Sequence, residues 1–157
     1  AWSENKKVEI RSPHATRPWQ HVLEPLSGYL SLGQMLFEFD ELNGMSFNFG
    51  PKAEQNHSVE KLLNDLGNYW NFNGENKGYK ITDNIPFHEA GLLKLNCDKA
   101  LFYLKWQANL DYVKTISMTS KWYYDYYINH FNMQEVTNLQ IEEYVNIAKN
   151  NNLKWTE

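Results

Sequence analysis

Alternation of apolar and polar residues, the mark of a half-buried strand, occurs in this chain only in short and scattered pieces. Lys7-Val8-Glu9-Ile10-Arg11 alternates, as do Ser46-Phe47-Asn48-Phe49, Tyr79-Lys80-Ile81 and Leu93-Lys94-Leu95. Isolated pairs of strands are marginal in water. Such pieces are too few for a self-sufficient sheet, so some are expected to extend a sheet whose other strands lie elsewhere.

Helical spacing fills much of the rest. Pro25 suits the first position of a helix. Leu26, Tyr29, Leu30, Gly33, Leu36 and Phe37 then recur at intervals of three and four, which predicts a helix to about Asp40. Ser58 is a candidate cap for a helix carrying Val59, Leu62, Leu63, Leu66 and Trp70. Asp98 is placed to cap a short helix through Leu104, and Asn109 a longer one reaching Tyr127. Thr137-Asn138-Leu139-Gln140 has the form of a capping box, opening a last helix that ends near Asn150. Ser12 to Pro18 reads as a loop, Trp19 to Glu24 as a short extended piece, and residues 71–78 as an Asn/Gly-rich turn. The expectation is an α/β chain with few short strands and several helices.

Aromatic residues make up 15% of the 157 residues, too many for a disordered chain. A net charge of −4 gives no global attraction to nucleic acid or to an anionic membrane, and no apolar run approaches a membrane span. The single cysteine, Cys97, excludes an intrachain disulfide, fits a reducing compartment, and reads as a small buried filler. The five histidines lack paired ligand spacing, so no structural metal is expected. Ala1-Trp2-Ser3-Glu4 reads more like the end of a helix than the start of a protein, so the chain is expected to be a piece of a longer one.

Four places could carry chemistry. Arg11 and Arg17 flank a proline-bounded loop followed by Trp19 and His21, and a stiffened arginine fork suits phosphate. On local composition alone, surface ion pairs and a core Trp19 are the stronger reading. Asn48, between Phe47 and Phe49, would face away from a core that holds the two rings, with a turn-closing role equally open. His88-Glu89 pairs an imidazole with a carboxylate, yet neighbours on an extended chain point opposite ways, which favours binding over acid–base work. The run Trp122-Tyr123-Tyr124-Asp125-Tyr126-Tyr127 covers every face of a helix and reads as interface packing. No Gly-rich dinucleotide loop and no Tyr-x-x-x-Lys pair occurs.

The run Arg11-Ser12-Pro13-His14-Ala15-Thr16-Arg17-Pro18-Trp19-Gln20-His21-Val22-Leu23-Glu24-Pro25-Leu26-Ser27-Gly28-Tyr29-Leu30 resembles the signature of CDP-glucose 4,6-dehydratases, extended short-chain dehydrogenase/reductase enzymes. Phe47 to Pro51, His88 to Ala100 and Thr119 to Tyr123 agree in order. The resemblance implies the C-terminal, substrate-binding part of a cytoplasmic, NAD-dependent bacterial lyase that converts CDP-glucose to CDP-4-keto-6-deoxyglucose. By that likeness Arg17 contacts the diphosphate, Ile10 and Arg11 line the base pocket, Asn48 lies near the nucleotide, and His88 and Glu89 close over the diphosphate. No catalytic residue is implied here, because the family's Tyr, Lys and NAD-binding glycines belong to an N-terminal half. Residues 1–55 would be trailing elements of the Rossmann-type domain and 56–157 the sugar-nucleotide domain. Apolar surface left by the absent half would favour a homodimer or leave part of the chain disordered. Alternatives are a segment of another nucleotide-sugar epimerase or dehydratase, or a non-catalytic sugar- or protein-binding module.

Overall fold

The computed structural model describes residues 1–72, 74–82 and 91–157. Among them are four strands: β1 (Val8–Ile10), β2 (Thr16–Arg17), β3 (His57–Ser58) and β4 (Tyr79–Ile81). The α-helices are α1 (Leu23–Glu38), α2 (Val59–Asn68), α3 (Asp98–Leu104), α4 (Tyr112–Tyr124) and α5 (Met133–Asn150). A five-residue π-helix, Asp125–Asn129, continues α4. The chain is mixed α/β with few short strands, as its patterning predicts.

The strands form two separate pairs. β1 runs parallel to β4, with Val8 opposite Tyr79 and Ile10 opposite Ile81. β2 runs antiparallel to β3, with Thr16 opposite Ser58 and Arg17 opposite His57. The expected strands at 7–11 and 79–81 are therefore present. β2 forms inside the stretch that reads as a loop, because Ala15 and Pro13 also accept the first N–H groups of the α2 segment, from Val59 and Glu60.

Two expected strands are absent. Among the described residues, 46–49 have no strand partner; instead Gln20 Nε2 donates to Phe49 O at 3.1 Å and Asn48 Nδ2 donates to Asn96 O at 3.2 Å. Residues 93–95 are irregular as well: Leu92 makes a lone parallel bridge with Thr16, and Leu93 N donates to Thr16 O. Side chains and loop backbone take the bonds that a neighbouring strand would have taken.

Helix ends follow their caps. Ser58 Oγ accepts Lys61 N–H, so the expected cap of α2 is the real one. α1 starts two residues before Pro25, which then sits in the first turn, where its missing N–H costs nothing. Asn96 Oδ1, not Asp98, receives the first free N–H of α3. Asp111 caps α4 in place of Asn109, and Asn132 caps α5 five residues ahead of Thr137. Asn109 and Thr137 are both engaged elsewhere, as described below. α5 ends at Asn150, where the sequence places its terminus.

One apolar cluster joins Leu42, Phe49, Ala100, Leu104, Trp106 and Ala108. A second holds Leu110, Met118 and Tyr144, and Trp155 packs against both. Trp106 is 1% exposed and meets Phe49 edge-on with ring centroids 4.9 Å apart. Outside the clusters, α1 leaves Leu26, Tyr29, Leu30, Leu36 and Phe37 exposed along one helical stripe, with Val22 exposed just before it.

Candidate functional site

The segment Arg17 to Leu30 runs from the end of β2 into α1, and nearly every polar side chain in it is bound. Trp19 Nε1 donates to His57 O at 2.8 Å, fixing the strand end to β3. His57 in turn lies against the ring of Tyr112, centroids 3.7 Å apart. Gln20 ties to the Phe49 carbonyl. His21 is buried; its Nδ1 accepts Leu23 N–H at 3.3 Å and the imidazole also bonds the Gln140 side chain. Burial holds its pKa below the usual imidazole value, against the opposing pull of Gln140.

Glu24 is the centre of the segment. It is 1% exposed, and its carboxyl accepts the backbone N–H of Asn109 at 3.0 Å and of Leu110 at 2.6 Å. Tyr144 Oη donates to it at 3.0 Å. Ser27 Oγ sits 2.9 Å from that hydroxyl and accepts Trp106 Nε1–H at 2.9 Å. Asn109 Nδ2 donates to Tyr144 O, and Asn151 Nδ2 to Asn109 Oδ1. The network ties α1 to the entry of α4, to Tyr144 of α5 and to Asn151 just beyond the end of α5. Burial pushes the Glu24 carboxyl up, opposed by the N–H groups of Asn109 and Leu110 and by Tyr144. The Tyr144 phenol is raised as well, by burial first and then by the charge of Glu24. This hub was not legible as a site; only its membership in the Arg11–Leu30 signature marked it.

The residues singled out for nucleotide binding fall in several places. Arg17, half-buried at the end of β2, donates from Nη1 to Thr16 O at 2.8 Å. Ile10 is buried in β1, its carbonyl accepting Thr82 N–H, and Arg11 is exposed just beyond it. Asn48 is exposed and bound to the Asn96 carbonyl. His88 and Glu89 lie outside the described residues. Asn96, to which Asn48 is bonded, helps to line a cavity of about 650 Å³ together with Lys52, Lys94, Cys97 and Trp106. Cys97 is half-buried rather than fully enclosed; its thiol approaches Gly50 O at 3.9 Å, and burial pushes its pKa up against that bond, with a further push from Asp98. Among the described residues no group of three or more His, Cys, Asp or Glu side chains is placed to hold a metal. No described helix is long and apolar enough to cross a membrane.

A mixed α/β chain of this kind, with helices outnumbering short strands, is consistent with the substrate-binding part of a short-chain dehydrogenase/reductase. Within that class it is similar to the CDP-glucose 4,6-dehydratase of Salmonella typhimurium, with 35% identity over 123 residues. Those residues are 78% of this chain and 33% of the relative, so the chain spans about a third of the relative's length. No family profile matches the chain.

Proposed function

We propose that this chain is the C-terminal segment of a CDP-glucose 4,6-dehydratase and carries part of the site for the nucleotide end of CDP-glucose. The observation that carries the reading is the 35% identity over 123 residues. Arg17 is the group assigned to the diphosphate. Its support is chemical: a guanidinium at the end of β2, on backbone that Pro18 stiffens and the Trp19–His57 bond ties to β3, suits a phosphate. Ile10 and Arg11 would border the base, and Asn48 the nucleotide. His88 and Glu89 would close over the diphosphate.

The intact enzyme would use NAD to oxidise and then reduce the sugar around loss of water. This chain does not fit that cofactor, having neither a glycine-rich loop nor a Tyr-x-x-x-Lys pair. In this reading residues 1–55 complete a Rossmann-type domain supplied by further chain, 56–157 form the sugar-nucleotide domain, and the segment alone is inactive. The enzyme would be a cytoplasmic homodimer.

Calorimetric titration with CDP, UDP and dTDP tests the nucleotide site. The expected result is preferential binding of CDP, weakened about tenfold or more by Arg17→Ala, the loss of one charge-assisted contact. Equal binding of all three, or CDP binding unchanged in Arg17→Ala, would remove Arg17 from the site.

A further inference from the structure

His21 stands where three helices meet. Its carbonyl accepts Glu24 N–H at 3.0 Å and its Nδ1 accepts Leu23 N–H at 3.3 Å, so backbone and ring both serve the first turn of α1. A neutral ring that accepts on Nδ1 carries its proton on Nε2, and that proton serves the Gln140 side chain of α5. Gln140 Nε2 donates in turn to Met118 O of α4 at 2.8 Å. The line Leu23–His21–Gln140–Met118 thus joins α1, α5 and α4 through one neutral imidazole.

α5 depends unevenly on that line. Its buried residues, Tyr144 and Ala148, both lie in its second half. There Tyr144 bonds to Glu24 and stacks on Trp155 with ring centroids 5.8 Å apart. In the first half, Met133 to Gln140, no residue is buried and Leu139 is 64% exposed. Among the described residues, the polar ties of this half to other elements are Trp122 Nε1 to Thr137 Oγ1 at 2.9 Å and the bonds of Gln140. A helical segment that buries so little opens at low cost. Thr137, Gln140 and Ile141 also wall a groove of about 430 Å³ that His21, Trp122 and Tyr123 help to line.

A second proton on His21 has no favourable place to sit. It would occupy Nδ1, whose lone pair holds Leu23 N–H, and turn an acceptor into a donor facing a donor. It would put positive charge at the positive end of the 16-residue α1. His21 is 6% exposed, so water gives that charge little solvation. No neighbouring carboxylate offsets it either. Glu24 of α1 is committed to Asn109, Leu110 and Tyr144. On α4 and its π turn, Lys121 is exposed, Tyr123 is a neutral phenol, and Asp125 accepts from Asn129 Nδ2. On α5, Glu135 and Glu142 are exposed and Glu143 pairs with Lys114. None of these charges acts on the imidazole, which responds to burial and to Gln140.

We infer that His21 is a proton-operated latch on α5: uptake of one proton by its imidazole frees the first half of α5, Met133 to Gln140, from α1 and α4, while Tyr144 keeps the second half docked. Release widens the groove and uncovers the Trp122 indole. Burial holds the closed-state imidazole below its ordinary value of 6.5, and opening returns it to water, so protons favour the open form in mildly acidic solution. The latch is independent of the nucleotide contacts assigned to Arg17.

Amide hydrogen exchange by NMR on the 157-residue chain, corrected for the intrinsic effect of pH on exchange, tests the latch. Between about pH 7.5 and about pH 5.5, protection of the amides from Thr137 to Ile141 should fall about tenfold, while that of Tyr144 to Ala148 changes little. The two halves are compared within the unaltered chain, so the test does not hang on any variant folding. In His21→Gln the pH dependence of the first half should vanish, and in His130→Gln, at an exposed position, it should remain. A first half whose protection does not change with pH, an equal fall in both halves, or a fall that persists in His21→Gln would each overturn the inference.

Discussion

Gly28 of α1 lies directly against the ring of Phe49: a Cβ on residue 28 would sit 2.3 Å from Phe49 Cδ1 and 2.6 Å from Cε1. No heavy atoms approach that closely without one of them moving. The contact explains why Phe49 is pinned in the core although its segment belongs to no strand. Gly28→Ala is expected to destabilise the chain by about 1–3 kcal/mol, the usual cost of overpacking. Gly33, five residues on in the same helix, has nothing within 4 Å of an added Cβ. Gly33→Ala should therefore be neutral or stabilising by up to about 1 kcal/mol. Urea unfolding of both variants measures the difference, and equal effects would mean that the Phe49 contact is loose.

Removing the Glu24 carboxyl should cost more than any other single truncation in α1. Glu24→Ala strands the N–H groups of Asn109 and Leu110 and the Tyr144 hydroxyl in the interior. A loss of about 3 kcal/mol or more is expected. Glu24→Gln, which keeps the shape and part of the accepting capacity, should lose less. A Glu24→Ala chain that unfolds at the wild-type urea midpoint would show that α4 and α5 are held without the hub.

Stability should fall as the solution is acidified below about pH 6.5. His21 has its pKa lowered from 6.5 by burial, so below that value the unfolded chain takes up a proton that the native chain refuses. The unfolded state then binds more protons, and stability rises with pH across this window. His21→Gln should flatten that limb of the pH–stability curve. Glu24 works in the opposite sense: its carboxyl is raised from 4.5, so above that value the unfolded chain loses a proton that the native chain keeps, and stability falls with rising pH. In Glu24→Gln this second slope should vanish, and thermal melts from pH 4 to 8 would separate the two effects.

The exposed stripe on α1 should make the chain associate with itself. Phe37 is 93% exposed and Leu30 78% exposed, with Leu26 and Tyr29 beside them. Contiguous apolar surface of this kind marks an interface. Sedimentation at tens of micromolar should detect dimers or larger species, and a Leu30→Lys, Phe37→Lys double variant should be monomeric. A wild-type chain that sediments as a clean monomer would end the homodimer proposal.

Features set by neighbouring residues were readable from the sequence. The alternation at Val8–Ile10 and Tyr79–Ile81, the Ser58 cap and the end of α5 at Asn150 each depend on groups a few positions apart, so local chemistry decides them. The run from Arg17 to Leu30 was readable as a family likeness, but not for what it does in the fold. Phe47–Phe49 and Leu93–Leu95 look like strands in isolation because alternation cannot say whether a neighbouring strand exists. Here the Gln20 side chain takes Phe49 O and the Thr16 carbonyl takes Leu93 N–H, in place of a paired strand. Asn109 and Thr137 look like helix caps, yet their side chains are claimed by Tyr144, Asn151 and Trp122 from 15 to 42 residues away. Glu24 reads as an ordinary charge in a first helical turn, and only the tertiary structure brings two backbone N–H groups and a phenol to it from 85 to 120 residues away. Sequence fixes what each residue can bond within its own turn of chain. Burial then makes most polar groups find a partner wherever packing delivers one, and that choice belongs to the folded molecule as a whole.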